Sequence, residues 1–230
     1  SSKKPKSAMM TFTHCGACTA VCFNSTATVI ASGFQSGTLI LWCARTYAPL
    51  DNFVAHFDAV YSLAWRGRLL VSGSRDCSVR AWIVSDGGKC AHALIGNQSQ
   101  QQQQQHQNEG ATRTSTTVAE PPPLLITNDF VYHVAITSDA STVFVASRDG
   151  AVYFLDALSG KVKRSAAAAA STSANTPTLQ LPSRINSAQL SDDKTLLAVA
   201  TIDNDVKIFT VSGGGLGVPK FRKTSDFVTW

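Results

Sequence analysis

The chain repeats itself. From His14 to Trp42 it reads CTAVCF, TVIASG and SGTLILW, and from His56 to Trp82 it reads VYSLAW, RLLVSGS and DCSVRAW. The two tryptophans lie 40 residues apart and the two histidines 42. A third unit follows as VYHVAI, TVFVAS and RDGAVYFLD, and a fourth as INSAQL, TLLAVA and DNDVKIF. From the start of the first run to the later turn, the spacing is 18 residues in the third unit (Val131 to Asp149) and in the fourth (Ile185 to Asp203). It is also 18 in the first unit, where Ser36 takes the place of the aspartate, and 16 in the second (Val60 to Asp76), whose hairpin at Arg66–Arg68 is tighter. Within each run apolar residues alternate with period two and Ser, Gly, Asp or Asn bound the run, which reads as a strand. Only Ala166–Ala170 has helical composition. A unit of about 40 residues cannot bury its own apolar faces and must stack on its neighbours. The expectation is an all-β chain of about four four-stranded antiparallel units.

The units occupy approximately residues 8–55, 56–96, 124–164 and 178–226, behind a basic tail at 1–7. From Trp82 to its counterpart Leu155 is 73 residues, and from Leu155 to Phe209 is 54, so two insertions separate the later units. The first, 97–123, holds Gln100–Gln105 and Pro121–Pro123; the second, 165–177, is rich in Ala, Ser and Thr. Neither composition buries enough apolar surface to offset ordering entropy, so both are expected as loops at the rim of the stack.

At these residues the sequence resembles the WD-repeat family of β-propellers. The second unit carries the fullest match, His56, Ser72-Gly73-Ser74-Arg75-Asp76 and Trp82, and the first carries His14, Ser32-Gly33 and Trp42. The resemblance implies a buried hydrogen-bonded chain through His56, Ser72, Asp76 and Trp82, with His14, Ser32 and Trp42 as its counterpart. In the third unit Val145 and Leu155 stand for the serine and tryptophan, and in the fourth Val199 and Phe209. Apolar replacement of several partners together is nearly neutral, so these units are expected to fold by packing. Propellers of this family usually have about seven blades, so the four units are expected to belong to a larger ring, or to one completed by self-association or by a partner.

The function classes narrow by exclusion. Net charge is +5, but Lys and Arg are scattered rather than gathered in a stripe. No apolar run approaches the ~20 residues that cross a bilayer as a helix, and no signal-type stretch follows the polar start, which points to cytoplasm or nucleus. The two glutamates, Glu109 and Glu120, lie in the first insertion, and no carboxylate pair presents itself for acid–base work. His14, Cys15, Cys18 and Cys22 offer zinc-type donors, yet no second Cys-x-x-Cys completes the set. Cys18, Ala20 and Cys22 alternate like Val60, Ser62 and Ala64, so the cysteines read as small core residues. No catalytic, cofactor-binding or metal-binding residue is assigned.

What remains is binding. The residue before the turn aspartate is Gln35, Arg75, Arg148 and Ile202 in the four units, and the resemblance directs these turns to one face of the disc. Two arginines there suit a carboxylate or phosphate. The expected function is a non-catalytic scaffold or adaptor for protein or peptide partners, acidic or phosphorylated ones included. The alternatives are a subunit of an RNA–protein assembly in ribosome biogenesis or RNA processing, and a substrate adaptor of a ubiquitin ligase.

Overall fold

A computed structural model describes residues 16–91, 123–163, 177–191, 193, 195–212, 215–216 and 220–223. Each of the four sequence units builds an antiparallel sheet. The first holds β1 (Cys18–Phe23), β2 (Val29–Phe34), β3 (Thr38–Cys43) and β4 (Pro49–Val54). The second holds β5 (Val60–Arg66), β6 (Leu69–Ser74), β7 (Ser78–Val84), β8 (Cys90–Ala91) and β9 (Leu125–Ile126). The third holds β10 (Val131–Ile136), β11 (Thr142–Ser147), β12 (Ala151–Asp156) and β13 (Leu179–Gln180). The fourth holds β14 (Ile185–Leu190), β15 (Leu196–Thr201), β16 (Asp205–Ser212), β17 (Gly215–Leu216) and β18 (Lys220–Lys223).

Period-two alternation gives each sheet two apolar faces, and the sheets stack so that both faces of the inner ones are covered. Ala31, Leu39 and Leu41 of the first sheet pack on Leu70, Trp82 and Val84 of the second. The opposite face of the second, with Val71, Val79 and Ala81, packs on Val143, Val145 and Leu155 of the third. Phe144, Val152 and Phe154 of the third then pack on Leu197, Val199 and Phe209 of the fourth. These are blades of an open propeller arc.

The turn after the second strand recurs with a left-handed residue in every blade: Gly37, Cys77, Gly150 and Asn204 have φ of 82°, 65°, 89° and 62°. A Cβ at Gly37 would collide with the carbonyl oxygen of His56, so glycine is required there by the chain passing over it. That passage is itself a hydrogen-bonded clasp. The amide of His56 donates to Gly37 O, that of Thr127 to Cys77 O and that of Leu181 to Gly150 O.

Two features of the outer strands lay outside the sequence reading. Sequence units and sheets are offset by one strand: Leu125–Ile126 and Leu179–Gln180 pair with β7 and β12 of the blade before them. In the last three blades the outer strand is also split. In blade two, β8 pairs one end of β7 and β9 the other. In blade three, Val162 bridges Leu155 while β13 pairs Ala151 and Val152. In blade four, β17 and β18 divide β16. The described residues on both sides of each insertion thus belong to an outer strand, while the insertions themselves, expected as rim loops, lie almost wholly outside the described residues.

Candidate functional site

Blade two contains a buried polar chain. The Trp82 indole N–H donates to Ser72 Oγ at 3.0 Å, and Ser72 Oγ lies 2.7 Å from His56 Nε2. His56 Nδ1 lies 3.0 Å from Asp76 Oδ2 and 3.0 Å from Ser78 Oγ. An ionised Asp76 can only accept, so His56 Nδ1 carries a proton toward the carboxylate. Asp76 also accepts from the backbone amides of Phe57 and Ser78 and from Ser78 Oγ. Burial works to raise the Asp76 pKa, but the hydrogen bond and charge of His56, with the Ser78 and Phe57 donors, hold it well below the usual carboxylate range. Ser78 was not singled out in the sequence; its position two residues after the aspartate was the available signal.

In blade one, Trp42 Nε1 donates to Ser32 Oγ at 2.7 Å, and Ser32 Oγ donates to Ile40 O. His14 lies outside the described residues, as does Cys15. Ser36, at the aspartate's position, donates to Thr38 Oγ1 instead. Cys18 is not the small core residue that alternation suggested. It is exposed, because no preceding sheet covers the start of β1 among the described residues. Cys22 does pack against the blade one–blade two core, and burial pushes its thiol up to about 12.

The turn residues give a different kind of site. Gln35, Arg75, Arg148 and Ile202 each donate a backbone amide to the residue just before the blade's first strand, namely Ala17, Ala59, Phe130 and Arg184. Equivalent bonds thus hold all four on one side of the sheets. In blades two and three they bring side chains together. The Arg75 guanidinium sits over the Phe130 ring, 5.2 Å from its centroid, and that of Arg148 sits over the same ring at 5.5 Å. Two arginines from neighbouring blades therefore share one phenyl ring. Gln35 and Ile202 remain exposed at the equivalent turns of blades one and four.

A bulge adds to this cluster. The first strand of every blade slips register after its first residue, so that Thr19, Tyr61, Tyr132 and Asn186 fall out of the ladder. Such bulges re-aim a side chain. Tyr61 and Tyr132 stack with centroids 5.4 Å apart, and Tyr61 lies 6.5 Å from Phe130. The charge balance is mixed. Asp58 Oδ2 lies 3.7 Å from Arg75 Nε. Burial raises the Cys77 thiol pKa, as do the carboxylates of Asp129, Asp76, Asp149 and Asp58 around it. Of these, Asp58, Asp129 and Asp149 each use one oxygen on a nearby backbone amide. Phe130, Tyr61 and Tyr132 were missed in the sequence, because only the stacking of two blades makes them neighbours of the arginines.

Comparison with known proteins agrees with the geometry. The model of the WD domain, G-beta repeat, matches residues 6–43 and 47–82. A ribosome biogenesis protein WDR12 homolog of Chlamydomonas reinhardtii is 40% identical over 60 residues, which is 23% of this chain and 14% of that protein. WD repeat and SOCS box-containing protein 1 of Homo sapiens is 32% identical over 74 residues, 31% of this chain and 18% of that protein. The matched segments thus span less than a fifth of either relative. Among solved structures, the computationally designed Ika4 protein superposes with a TM-score of 0.60 over 87% of this chain and 94% of its own, at 18% identity. The WD repeat is thus matched over the first two blades, and one backbone plan is carried through all four, the antiparallel sheets of a partial propeller similar to those of WD-repeat proteins.

Proposed function

We propose that the chain is a scaffold that holds a protein partner on the face bearing Arg75 and Arg148, through a single carboxylate or phosphate group of that partner. The observation that carries this reading is the pair of guanidinium groups on the Phe130 ring. Stacking on one ring orders the two forks before a ligand arrives, which lowers the entropy cost of gripping an anion. The neighbouring Asp58, Asp129 and Asp149 set the limit on what fits. A polyanion laid across this face would meet three carboxylates, whereas one anionic side chain set between the arginines would not. This argues for a peptide with an isolated acidic or phosphorylated residue, and against a nucleic-acid backbone at this site.

A second reading, membership of an RNA–protein assembly, is favoured by the likeness to a protein named for ribosome biogenesis. A third, a ubiquitin-ligase adaptor, draws on the SOCS-box relative. In both, the arginine face meets a protein surface, so one experiment bears on all three. Titration of a library of acidic and phosphorylated peptides against the wild-type chain and the Arg75→Ala/Arg148→Ala variant, both checked by circular dichroism, is expected to show binding that falls about tenfold to a hundredfold on loss of each charged hydrogen bond. Equal affinities for the two proteins, or no binding by either, would remove this face from the function.

A further inference from the structure

We infer that the anion taken between Arg75 and Arg148 is carried on an aromatic ring, so that the ligand of this face is a phosphotyrosine side chain. The inference rests on the use proposed for that face and adds a second recognition element to it, the pair Tyr61 and Tyr132. In each of the two middle blades the tyrosine and the arginine are fixed at the same end of the first hairpin. Val60, which precedes Tyr61, pairs with Ser74, which precedes Arg75; Val131, before Tyr132, pairs with Ser147, before Arg148. The other two blades keep this backbone plan and change both side chains. Thr19 stands with Gln35 in blade one, and Asn186 with Ile202 in blade four. Across the four blades, tyrosine at the bulge and arginine at the turn occur together or not at all.

The rings form a row that starts at the arginines. Both guanidinium groups lie over Phe130, at 5.2 and 5.5 Å from its centroid. Tyr61 follows at 6.5 Å from Phe130, and Tyr132 at 5.4 Å from Tyr61. All three rings are half-buried, so part of each stays open to a ligand. Centroid separations of about 4.5–7 Å are those that aromatic pairs prefer, and one further ring continues the row on the same terms.

One side chain meets the arginines and the tyrosines at once only if it carries its charge at the tip of a ring. Aspartate and glutamate have the charge without the ring, unmodified tyrosine has the ring without the charge, and phosphoserine holds its phosphate on a short aliphatic stem. Phosphotyrosine has both, with a charge of about −2 and three acceptor oxygens for two guanidinium forks. Its stem is uncharged. That suits a face on which Asp58, Asp129 and Asp149 repel any second anion.

The test is a titration of the full chain with short peptides of one neutral sequence that differ only in a central phosphotyrosine, phosphoserine, sulfotyrosine or tyrosine. Phosphotyrosine is expected to bind about tenfold more tightly than phosphoserine or the monoanionic sulfotyrosine, and tyrosine not to bind. Tyr61→Leu/Tyr132→Leu is expected to bring phosphotyrosine down to the level of phosphoserine and to leave phosphoserine unchanged. Tyr132→Phe, which keeps the ring, should preserve the wild-type order, whereas Arg75→Ala/Arg148→Ala should weaken both phosphopeptides together. Competition on the wild-type chain decides the matter if a leucine variant fails to fold: phenyl phosphate should displace the phosphotyrosine peptide at about a tenth of the concentration that ethyl phosphate requires. Phosphoserine binding as tightly as phosphotyrosine, or equal competition by the two esters, would overturn the inference and leave the arginine face standing. Sulfotyrosine binding as tightly as phosphotyrosine would overturn the choice of phosphate. Binding of no anionic peptide would remove the face itself and the inference with it.

Discussion

Blades two and three lie face to face and follow one backbone plan, yet they secure it by opposite means. In blade two the third strand is tied to the second through Trp82, Ser72, His56 and Asp76. In blade three the same positions hold Leu155, Val145, Thr127 and Asp149, and the Thr127 hydroxyl turns to the carbonyls of Cys77 and Asp129. Blade three compensates with aromatic mass: Phe144 and Phe154 meet edge to face at 5.5 Å, and Tyr153 and Leu155 are fully buried. The lesson concerns completeness. A buried polar chain is tolerated when every member has its partner, and an apolar set is tolerated when every member is replaced; the costly state lies between them, where a donor or acceptor is left buried without water.

Breaking the chain at its largest member is expected to have the largest effect. Trp82→Ala removes a fully buried indole and one of the two partners of Ser72 Oγ, at a cost of about 3–5 kcal/mol in denaturant titration. Phe209→Leu, at the equivalent place in blade four, is expected to cost under about 1.5 kcal/mol. Similar losses at the two positions would mean that volume alone counts. The next effect is electrostatic. Asp76→Ala takes the carboxylate from His56 Nδ1, leaving it Ser78 Oγ, and should cost about 1–3 kcal/mol, whereas Asp149→Ala, which loses one contact to the Ala151 amide, should cost less than about 1 kcal/mol.

Acidity probes the same contrast. The folded-state pKa of Asp76 lies below its unfolded value, so its contribution is fully present above about pH 4 and is lost as pH falls through the folded value. Hydrogen exchange is expected to show blade-two amides losing protection on acidification before those of blade three, and Asp76→Asn to erase that difference; identical acid profiles would sink the assignment. The smallest expected effect is a gain. Cys77 holds the left-handed turn position that glycine occupies in blades one and three. Cys77→Gly removes that strain and should raise stability by up to about 1 kcal/mol, visible as a shift in the denaturation midpoint.

Much of this molecule could be read from its sequence because the relevant signals are local. Alternation located the strands, and fixed spacings placed His56, Ser72, Asp76 and Trp82 at positions whose hydrogen bonds lie within one blade. Ser78 was missed although it lies within the same turn, since a serine two residues after an aspartate is common. Phe130 had no local signal at all. It precedes a first strand and meets Arg75 only because blade three stacks on blade two.

The four turn residues show where the division falls. Their equivalence is a property of the repeat, and the sequence by itself determined that Gln35, Arg75, Arg148 and Ile202 occupy matching turns. It could not say that two of them share a ring, that three carboxylates stand beside them, or that the outer strands split at the insertions. Strand register and turn chemistry are fixed within about 20 residues of chain by pleat and steric limits, which the sequence displays directly. Contacts between blades depend on how whole sheets stack, and residues such as Arg75 and Phe130, 55 positions apart, become neighbours only through the packing of Val71, Val79 and Ala81 on Val143, Val145 and Leu155. That burial is non-directional and set by the combined shape of two faces, so it was decided only in the tertiary structure.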